Sequence, residues 1–165
     1  HSGDREFGVP DEYPLEAAGC RIDENGKKYI RVKGVRWYTN IDHGRRHNPL
    51  SLMSMADNIK YSKHKDIQGK KYQHYDNYDA IEIPYTDAIP CDYENLMGVP
   101  VTFLDKYCPE QFDIIWQACG NTRASAPKEI LDEVGYTIHP EDRGGCGVVN
   151  NKRQYARILI RKKQS

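Results

Sequence analysis

The sequence has 165 residues, of which 38% are hydrophobic and 29% charged, and its formal net charge is zero. No apolar run approaches the roughly 20 residues of a membrane-spanning helix, and no secretory signal pattern opens the chain. The five cysteines are scattered and form no CxxC pair, which argues against a structural zinc site. We therefore expect reduced, mostly buried thiols in a cytoplasmic protein with no membrane partner. Because the chain begins at His1 without an initiator methionine, we also expect a cut, tagged or processed piece.

The charges are unevenly distributed along the chain. Residues 27–71 contain 12 bases and 3 acids, and residues 143–165 contain 7 bases and no acids. Between them, residues 76–113 contain 9 acids and a single base. Two basic blocks separated by an acidic one can fold onto one face and form a groove for a polyanion. The alternative is that the blocks neutralise one another across packed surfaces.

The first elements are predicted to be a β-hairpin. Residues 28–40 are rich in β-branched and aromatic residues, which predicts a strand. Whether Gly34 interrupts this strand is left open. The dipeptide Asn25-Gly26 predicts a hairpin turn, with residues 19–24 as the partner strand. Residues 42–49 then form a polar loop, and the apolar spacing of residues 50–60 predicts a short helix.

Residues 60–79 interleave Lys, His and Tyr with almost no aliphatic residues, which predicts an exposed, mobile loop. A strand at 80–84 and a turn at 85–90 follow. Residues 98–107 and 112–117 are predicted to be two strands joined by the turn 108–111.

The remaining chain is predicted to contain one helix and one strand. Residues 127–134 suit a helix with Pro127 in its first turn and Gly135 at its end. Residues 143–151 form a loop, and 155–161 (YARILIR) alternate as in a strand. The pattern predicts an α+β fold with a mostly antiparallel sheet and few short helices.

Several catalytic signatures are missing. The sequence has no Walker loop, GxSxG elbow, HExxH motif or EF-hand loop. The string HNPL at 47–50 lacks the second proline and the aromatic residue of the NPP-aromatic box of amino-methyltransferases. A cysteine nucleophile at Cys119 or Cys146, with a histidine base, is a further hypothesis, although no local signature supports it.

The segment after Trp37-Tyr38 has the highest concentration of Arg, His and Asn side chains in the sequence. Arg and His side chains can contact phosphates or guanine edges, and Asn can bind adenine with two hydrogen bonds. The alternative is that Trp37 belongs to the core and the loop is merely solvated. The candidate DNA-binding residues here are Asn40, His43, Arg45 and Arg46.

Two further groups of basic residues are candidate DNA contacts. In the 60–79 loop, Tyr rings can stack on bases while lysines follow the backbone, unless this is only a flexible surface loop. The basic strand and tail at 153–163 also suit phosphates, unless it is a surface strand with one charged face. The candidates are Lys63, Lys65, Lys70, Lys71, Lys152, Arg153 and Arg157, with Asn121 and Arg123 as alternative base-reading residues.

Four strings resemble the C-terminal half of EcoRI-type adenine-specific DNA methyltransferases. They are VRWYTNIDHGRRHNPL (35–50), YDNYDAIEI (75–83), IPCDYENLMGVPVTFLDKYCPEQFDII (89–115) and YARILIR (155–161). The segment GDREFGVPD (3–11) resembles the part of the family that directly follows the later strands of the catalytic domain. The stretch from Gly98 to Phe112 is the most specific.

The resemblance implies methyl transfer from S-adenosylmethionine to the N6 amino group of adenine in double-stranded DNA, with base flipping. The family's cofactor-binding and catalytic motifs lie upstream of the matched region, so no catalytic or cofactor residue is carried over and this piece alone is expected to be inactive. Residues 1–41 are expected to be closing strands of the methyltransferase domain, and 42–165 the DNA target-recognition region. The implied partners are DNA and the upstream catalytic domain. The alternative function is a stand-alone nucleic-acid-binding or protein-interaction module.

Overall fold

The computed structural model describes residues 2–15, 19–36 and 41–164. The chain divides into an N-terminal unit, His1–Asp42, and a C-terminal unit, His43–Ser165. The roles expected for residues 1–41 and 42–165 stay predictions.

The N-terminal unit contains a three-stranded antiparallel sheet in the order β1–β3–β2. Its strands are β1, Ser2–Gly8, β2, Arg21–Ile22, and β3, Lys28–Arg36. The predicted turn is confirmed, because Gly26 has a φ of 79° and its N–H donates to the carbonyl of Asp23 at 3.0 Å. Strand β3 continues through Gly34, with a register irregularity opposite Gly3 and Arg5. Residues 37–40 of the predicted strand lie outside the described residues.

The C-terminal unit is built on a four-stranded sheet. Its strands are β4, Ala80–Glu82, β5, Leu96–Pro100, β6, Phe112–Ala118, and a C-terminal strand, Arg157–Lys162. A small antiparallel hairpin, β7, Val148–Val149, and β8, Lys152–Arg153, precedes that last strand, which is therefore β9. The sheet order is β4–β5–β9–β6, with β4 and β5 parallel and the other pairs antiparallel.

Short helices surround this sheet. The α-helices are α1, Met55–Tyr61, and α2, Lys128–Glu133. The 3₁₀ turns are Gly44–His47, Thr86–Ala88, Val101–Lys106 and Thr122–Ser125. The fold is α+β with mostly antiparallel strands, as the sequence predicts. Among the described helices, none has the length and apolar character needed to cross a membrane.

Both faces of the four-stranded sheet are covered by apolar packing. Ile158 and Ile160 of β9 pack with Phe103 and Phe112 on one face. Leu159 points to the other face and packs with Tyr75, among others. Successive side chains of a strand point to opposite faces, so β9 can bury consecutive apolar residues on both sides.

The predicted strand 98–107 is wrong in its second half. Strand β5 ends at Pro100, and Val101–Lys106 forms a 3₁₀ turn. Phe103 is fully buried there, with its ring centroid 5.5 Å from that of Phe112. Tertiary packing of this ring therefore overrides the local strand preference. The two strands joined by the turn 108–111 are not neighbours in the sheet, because β9 lies between β5 and β6.

The exposed loop predicted at residues 60–79 is confirmed over most of residues 60–74 and wrong at residues 75–78. Tyr75 and Tyr78 are buried, and Asn77 is fully buried. The Asn77 side chain accepts from the Val148 N–H at 2.9 Å and donates to the Cys146 carbonyl at 2.8 Å. Tyrosine rings supply large apolar areas where aliphatic residues are lacking, which is why Tyr75 and Tyr78 pack into the core.

The bounds of three other predicted elements are refined by the structure. The helix predicted at 50–60 begins at Met55, because the hydroxyl of Ser54 caps it by accepting from the Asp57 N–H at 3.1 Å. The helix predicted at 127–134 is confirmed over Lys128–Glu133, with Pro127 at the N-cap. Part of the loop predicted at 143–151 is strand β7.

Candidate nucleic-acid interface

Residues 43–48, the arginine turn, expose the basic side chains that the sequence singles out. The 3₁₀ turn Gly44–His47 has no acidic residue in its first turn. His43 and Arg45 are exposed and Arg46 is half-buried. Neither arginine has a carboxylate partner within the described parts of the chain. Asn40, the fourth candidate of this segment, lies outside the described residues.

The arginine turn is anchored at its C-terminal side to the turn 108–111. His47 Nδ1 lies 2.6 Å from Glu110 Oε1. The Gln111 side chain accepts from the Leu50 N–H at 2.8 Å and donates to the Leu50 carbonyl at 2.9 Å. Hydrogen bonding by His47, and then by the Cys108 thiol, lowers the pKa of Glu110 to about 2. The carboxylate is therefore ionised at neutral pH and holds His47 in place.

A groove of about 370 Å³ runs beside the arginine turn. Its walls include Arg45, Asp87 and Lys106. Lys63 Nζ lies 2.6 Å from Asp87 Oδ2, and His64 Nε2 lies 2.8 Å from Asp87 Oδ1. Although partial burial acts in the opposite direction, hydrogen bonds from Lys63 and His64 lower the pKa of Asp87. Asp87 therefore holds Lys63 beside the groove that Arg45 lines.

The other lysines of residues 60–79 remain exposed. Lys65, Lys70 and Lys71 have no carboxylate partner among the residues that the structure describes. Their ammonium groups are accessible to phosphate, whereas the aromatic residues Tyr75 and Tyr78 of the same segment are buried and cannot stack on bases.

Two loops from distant parts of the C-terminal unit enclose a second cavity, the loop cleft. Its volume is about 760 Å³, and Asn121, Arg123, His139 and Arg143 line it. The N–H of Asn121 donates to the Arg143 carbonyl at 3.0 Å, and the N–H of Arg123 donates to the Gly144 carbonyl at 2.9 Å. The cleft thus joins both alternative base-reading candidates to Arg143.

The close approach of these loops requires glycine at position 145. Its φ is 142°, and a Cβ there would lie 2.5 Å from Thr122 Oγ1 and 2.7 Å from the Cys119 carbonyl oxygen. Only glycine fits such a contact without displacement of the backbone. Gly145 therefore allows the two loops that line the cleft to pack closely against each other.

Arg123 is partly engaged inside the cleft wall. Its Nη1 donates to the Tyr136 hydroxyl at 2.9 Å and lies 3.8 Å from Asp142 Oδ2. Asp142 also accepts from the Gly144 N–H at 2.7 Å. Arg123 therefore keeps only part of its hydrogen-bonding capacity for a ligand, while Asn121 and Arg143 are exposed.

The candidates near the C-terminus fall into two groups. Lys152 and Arg153 are exposed on the hairpin β7–β8. Arg157 is buried, with Nη2 2.5 Å from Glu82 Oε1. This placement contradicts the prediction that Arg157 is a surface phosphate contact, because its guanidinium is already bound by a carboxylate.

Neutralisation between the charge blocks, the alternative to a single polyanion groove, occurs in part. In the ion pairs that the described residues form, four acids of residues 76–113 contact basic residues of the two basic blocks. These pairs are Arg157–Glu82, Lys63–Asp87, His47–Glu110 and Lys163–Asp113. The basic residues that have no carboxylate partner are therefore a better guide to a polyanion-binding surface than the number of basic residues in each block.

Comparison with known proteins gives a consistent result over nearly the whole chain. The family model described as adenine-specific methyltransferase EcoRI matches residues 1–163. The chain belongs to this family. It is 37% identical over 158 residues to the Type II methyltransferase M.EcoRI of Escherichia coli, which covers 96% of the chain and 39% of that relative. No solved structure matches the chain.

Two mycoplasma relatives are also Type II methyltransferases. The Type II methyltransferase M.MgeORF184P of Mycoplasma genitalium is 34% identical, over 96% of the chain and 46% of the relative. M.MpnI of Mycoplasma pneumoniae is 28% identical, over 87% of the chain and 41% of the relative. The chain therefore spans less than half the length of these Type II methyltransferases, consistent with a fragment of a methyltransferase.

Sequence reasoning missed three residues of this EcoRI-family chain that the structure places at candidate surfaces. Lys106 lines the groove, and His139 and Arg143 line the loop cleft. The only indication in the sequence that Arg143 contacts a ligand is that it is the first residue of the second basic block. Its position beside Asn121 depends on a loop contact across 22 residues (143 − 121) that no local pattern reveals.

Proposed function

We propose that this chain is the DNA-recognition part of a site-specific methyltransferase of a Type II restriction-modification system. In the intact enzyme, the reaction is methylation of the N6 amino group of adenine with S-adenosylmethionine as donor. The partners are double-stranded DNA and the catalytic domain of the same protein, and the compartment is the cytoplasm. Membership of the adenine-specific EcoRI family supports the reaction class.

The observation that carries the recognition role is the arginine turn. Arg45 and Arg46 lack carboxylate partners within the described residues, while the turn is fixed by His47–Glu110 at 2.6 Å and by the two Leu50–Gln111 hydrogen bonds. A bidentate contact between arginine and a guanine edge tolerates little positional error. A cation that is both free and rigidly supported suits such a contact.

A recognition role of this kind also fits the energetics of base flipping. Extrusion of the target adenine costs a few kcal/mol of stacking and pairing. Contacts to phosphates and to flanking base edges must supply that free energy. The exposed lysines Lys65, Lys70 and Lys71 suit the phosphate contacts, and the arginine turn suits base reading.

None of the described residues is assigned to the cofactor. The sequence contains neither the cofactor-binding glycine motif nor the NPP-aromatic box, which accepts the adenine amino group in amino-methyltransferases. We infer that the donor binds in the part of the protein that this chain does not include, and the length of the relatives supports this division.

A salt titration of DNA binding tests the recognition role. Labelled duplexes from a random pool, and duplexes enriched from that pool by the chain, are titrated by fluorescence anisotropy. We expect the affinity of the chain to fall linearly with the logarithm of salt. The double variant R45Q/R46Q should lose about 1–3 kcal/mol per base-reading arginine on the enriched duplexes and much less on the random pool.

A matched control separates base reading from loss of charge. Lys60 and Lys128 are exposed cations outside the arginine turn, so K60Q/K128Q removes the same charge. This control should lower affinity slightly and equally on both pools. Equal losses on both pools for R45Q/R46Q would contradict base reading by this turn, and absence of salt-dependent binding would contradict the recognition role.

A further inference from the structure

The structure separates the second basic block into engaged and free cations. Four of its seven bases are held by carboxylates or a carbonyl of the C-terminal unit. These contacts are Arg157–Glu82, Arg161–Glu133, Lys162–Cys91 O and Lys163–Asp113. The other three bases are exposed and have no carboxylate partner in the described ranges. They are Arg143, Lys152 and Arg153.

Two of the free cations lie on a hairpin with a rigid two-residue turn. Asn150 and Asn151, between β7 and β8, have φ values of 50° and 59°, the left-handed conformation of a type I′ turn. The Asn151 N–H donates to the Asp76 carboxylate at 2.8 Å, and the Asn150 side chain donates to Gln73 at 3.1 Å. Val148 anchors the base of the hairpin and is fully buried. Lys152 and Arg153 are therefore presented from a fixed support.

The third free cation lies close to this hairpin. The loop that carries Arg143 is tied back on itself by the Cys146 N–H, which donates to the Asp142 carbonyl at 2.8 Å, and it leads directly into Val148, the residue that pairs with Arg153 in the hairpin. Arg143 is in turn joined to the loop cleft through the Asn121 N–H at 3.0 Å. The hairpin and the cleft thus contribute to one basic surface.

An exposed aromatic side chain follows the hairpin directly. Tyr155 is 87% exposed, more than any other large hydrophobic side chain of the described residues. Two residues later, Arg157 enters the core, so Tyr155 lies on a short connection between two fixed elements. An aromatic ring beside free cations is the combination that binds nucleobases and phosphates together.

We propose that Arg143, Lys152, Arg153 and Tyr155 form a second DNA-contacting surface, separate in sequence from the arginine turn. The three cations contact consecutive phosphates of one strand, and the Tyr155 ring stacks on a base exposed by local distortion of the duplex. Asn121 lies at the edge of this surface, in the loop cleft. The proposal rests on the proposed function and adds a second contact region to it.

The test compares two triple variants of the whole chain that lose the same charge. R143Q/K152Q/R153Q removes the free cations, and K128Q/R161Q/K163Q removes one helix cation and two engaged ones. We expect the first variant to flatten the slope of log affinity against log salt by about 2–3 units, since each phosphate contact contributes about 0.9. The second should leave the slope nearly unchanged.

A separate measurement tests the aromatic contact. Tyr155→Ala should weaken DNA binding about 10-fold, the lower range of a stacking contact, without a change in salt slope. In Tyr155→Trp, the added tryptophan emission should be quenched by DNA, with the wild-type chain as reference. This readout needs no loss of affinity, so it is informative even where a triple variant unfolds.

The outcomes distinguish the two proposals. Salt-dependent binding by the wild-type chain with an unchanged slope in R143Q/K152Q/R153Q, and no quenching in Tyr155→Trp, overturns this second surface and leaves the arginine turn intact. A wild-type chain that binds no DNA overturns both proposals. A flattened slope together with quenching supports the second surface.

Discussion

Arg157 and Glu82 form an ion pair inside the C-terminal unit, and each side chain is only 10% exposed. Arg157 Nε donates to Glu82 Oε1 at 2.9 Å and Nη2 donates to the same oxygen at 2.5 Å. The hydroxyl of Tyr75 donates to Glu82 Oε2. Removal of charge from water is costly unless the charges are paired and hydrogen-bonded, so this network belongs to the fold, not to a DNA contact.

Replacement of Glu82 by Gln should destabilise the chain by about 3–5 kcal/mol, because it leaves the Arg157 charge buried without its counterion. Urea denaturation measures the free energy of unfolding. The matched control is Glu133→Gln, which breaks the exposed pair with Arg161 at 3.0 Å and should cost less than about 1 kcal/mol. Equal effects of the two substitutions would contradict the buried role of the pair.

Gly98→Ala should destabilise the chain by about 1–3 kcal/mol through overpacking. A Cβ at Gly98 would lie 2.7 Å from Cε2 and Cζ of Tyr75, and the ring is buried between neighbours that cannot move away freely. Gly44→Ala is the control, because no heavy atom lies within 4 Å of its added Cβ. A thermal unfolding midpoint for Gly98→Ala that equals that of the control would show that the ring can move.

The carboxyl group of Glu110 should titrate near pH 2 in the wild-type chain. Its pKa is lowered from 4.5 to about 2, first by the hydrogen bond with His47. A lowered folded-state pKa contributes stability above the unfolded value, and this contribution is lost as the pH falls from about 4.5 through about 2. Carboxyl ¹³C NMR titration measures the midpoint.

His47→Ala should raise this midpoint toward 4.5, because the Cys108 thiol is then the remaining side-chain donor to Glu110. Arg46→Ala removes a neighbouring cation with no hydrogen bond to Glu110 and should leave the midpoint in place. A midpoint that is the same in all three proteins would show that His47 does not anchor the arginine turn.

The sequence predicts those elements whose signals are local. The Asn25-Gly26 turn, helix α2 and strands β6 and β9 are confirmed. Each depends on a turn dipeptide, a helix-bounding residue or a period-two pattern within a few residues. The family was also predicted correctly from the sequence, because the strings that resemble EcoRI-type methyltransferases run through these same elements.

Features that depend on distant residues were not predictable in this way. In YARILIR, Arg157 shares a strand face with Leu159, and only Glu82, 75 residues away, explains why that arginine is buried. The insertion of β9 between β5 and β6 likewise depends on pairing between residues that are at least 39 positions apart, such as Ala118 and Arg157. In the second basic block, the sequence does not distinguish the cations that are held by carboxylates or a carbonyl from those that are free, because the partners lie far away in the chain.

Replacement of Lys65, Lys70 and Lys71 by Gln should weaken binding to enriched and random duplexes by the same factor. These lysines are exposed and have no carboxylate partner among the described residues, so they suit phosphates, which carry no sequence information. The slope of log affinity against log salt should flatten by up to about 3 units. A larger loss on the enriched duplexes would instead assign sequence reading to this segment.

Gln111→Ala should reduce the discrimination between enriched and random duplexes without a change in salt slope. Its side chain makes both hydrogen bonds to the Leu50 backbone, at 2.8 Å and 2.9 Å, and carries no charge. Loss of these bonds frees the arginine turn on one side, and base contacts need a well-fixed support whereas phosphate contacts do not. Gln117→Ala, at an exposed position of β6, is the control and should preserve discrimination. If Gln111→Ala also preserves it while urea denaturation shows the fold intact, then the anchor to residues 108–111 is not what positions Arg45 and Arg46 for recognition.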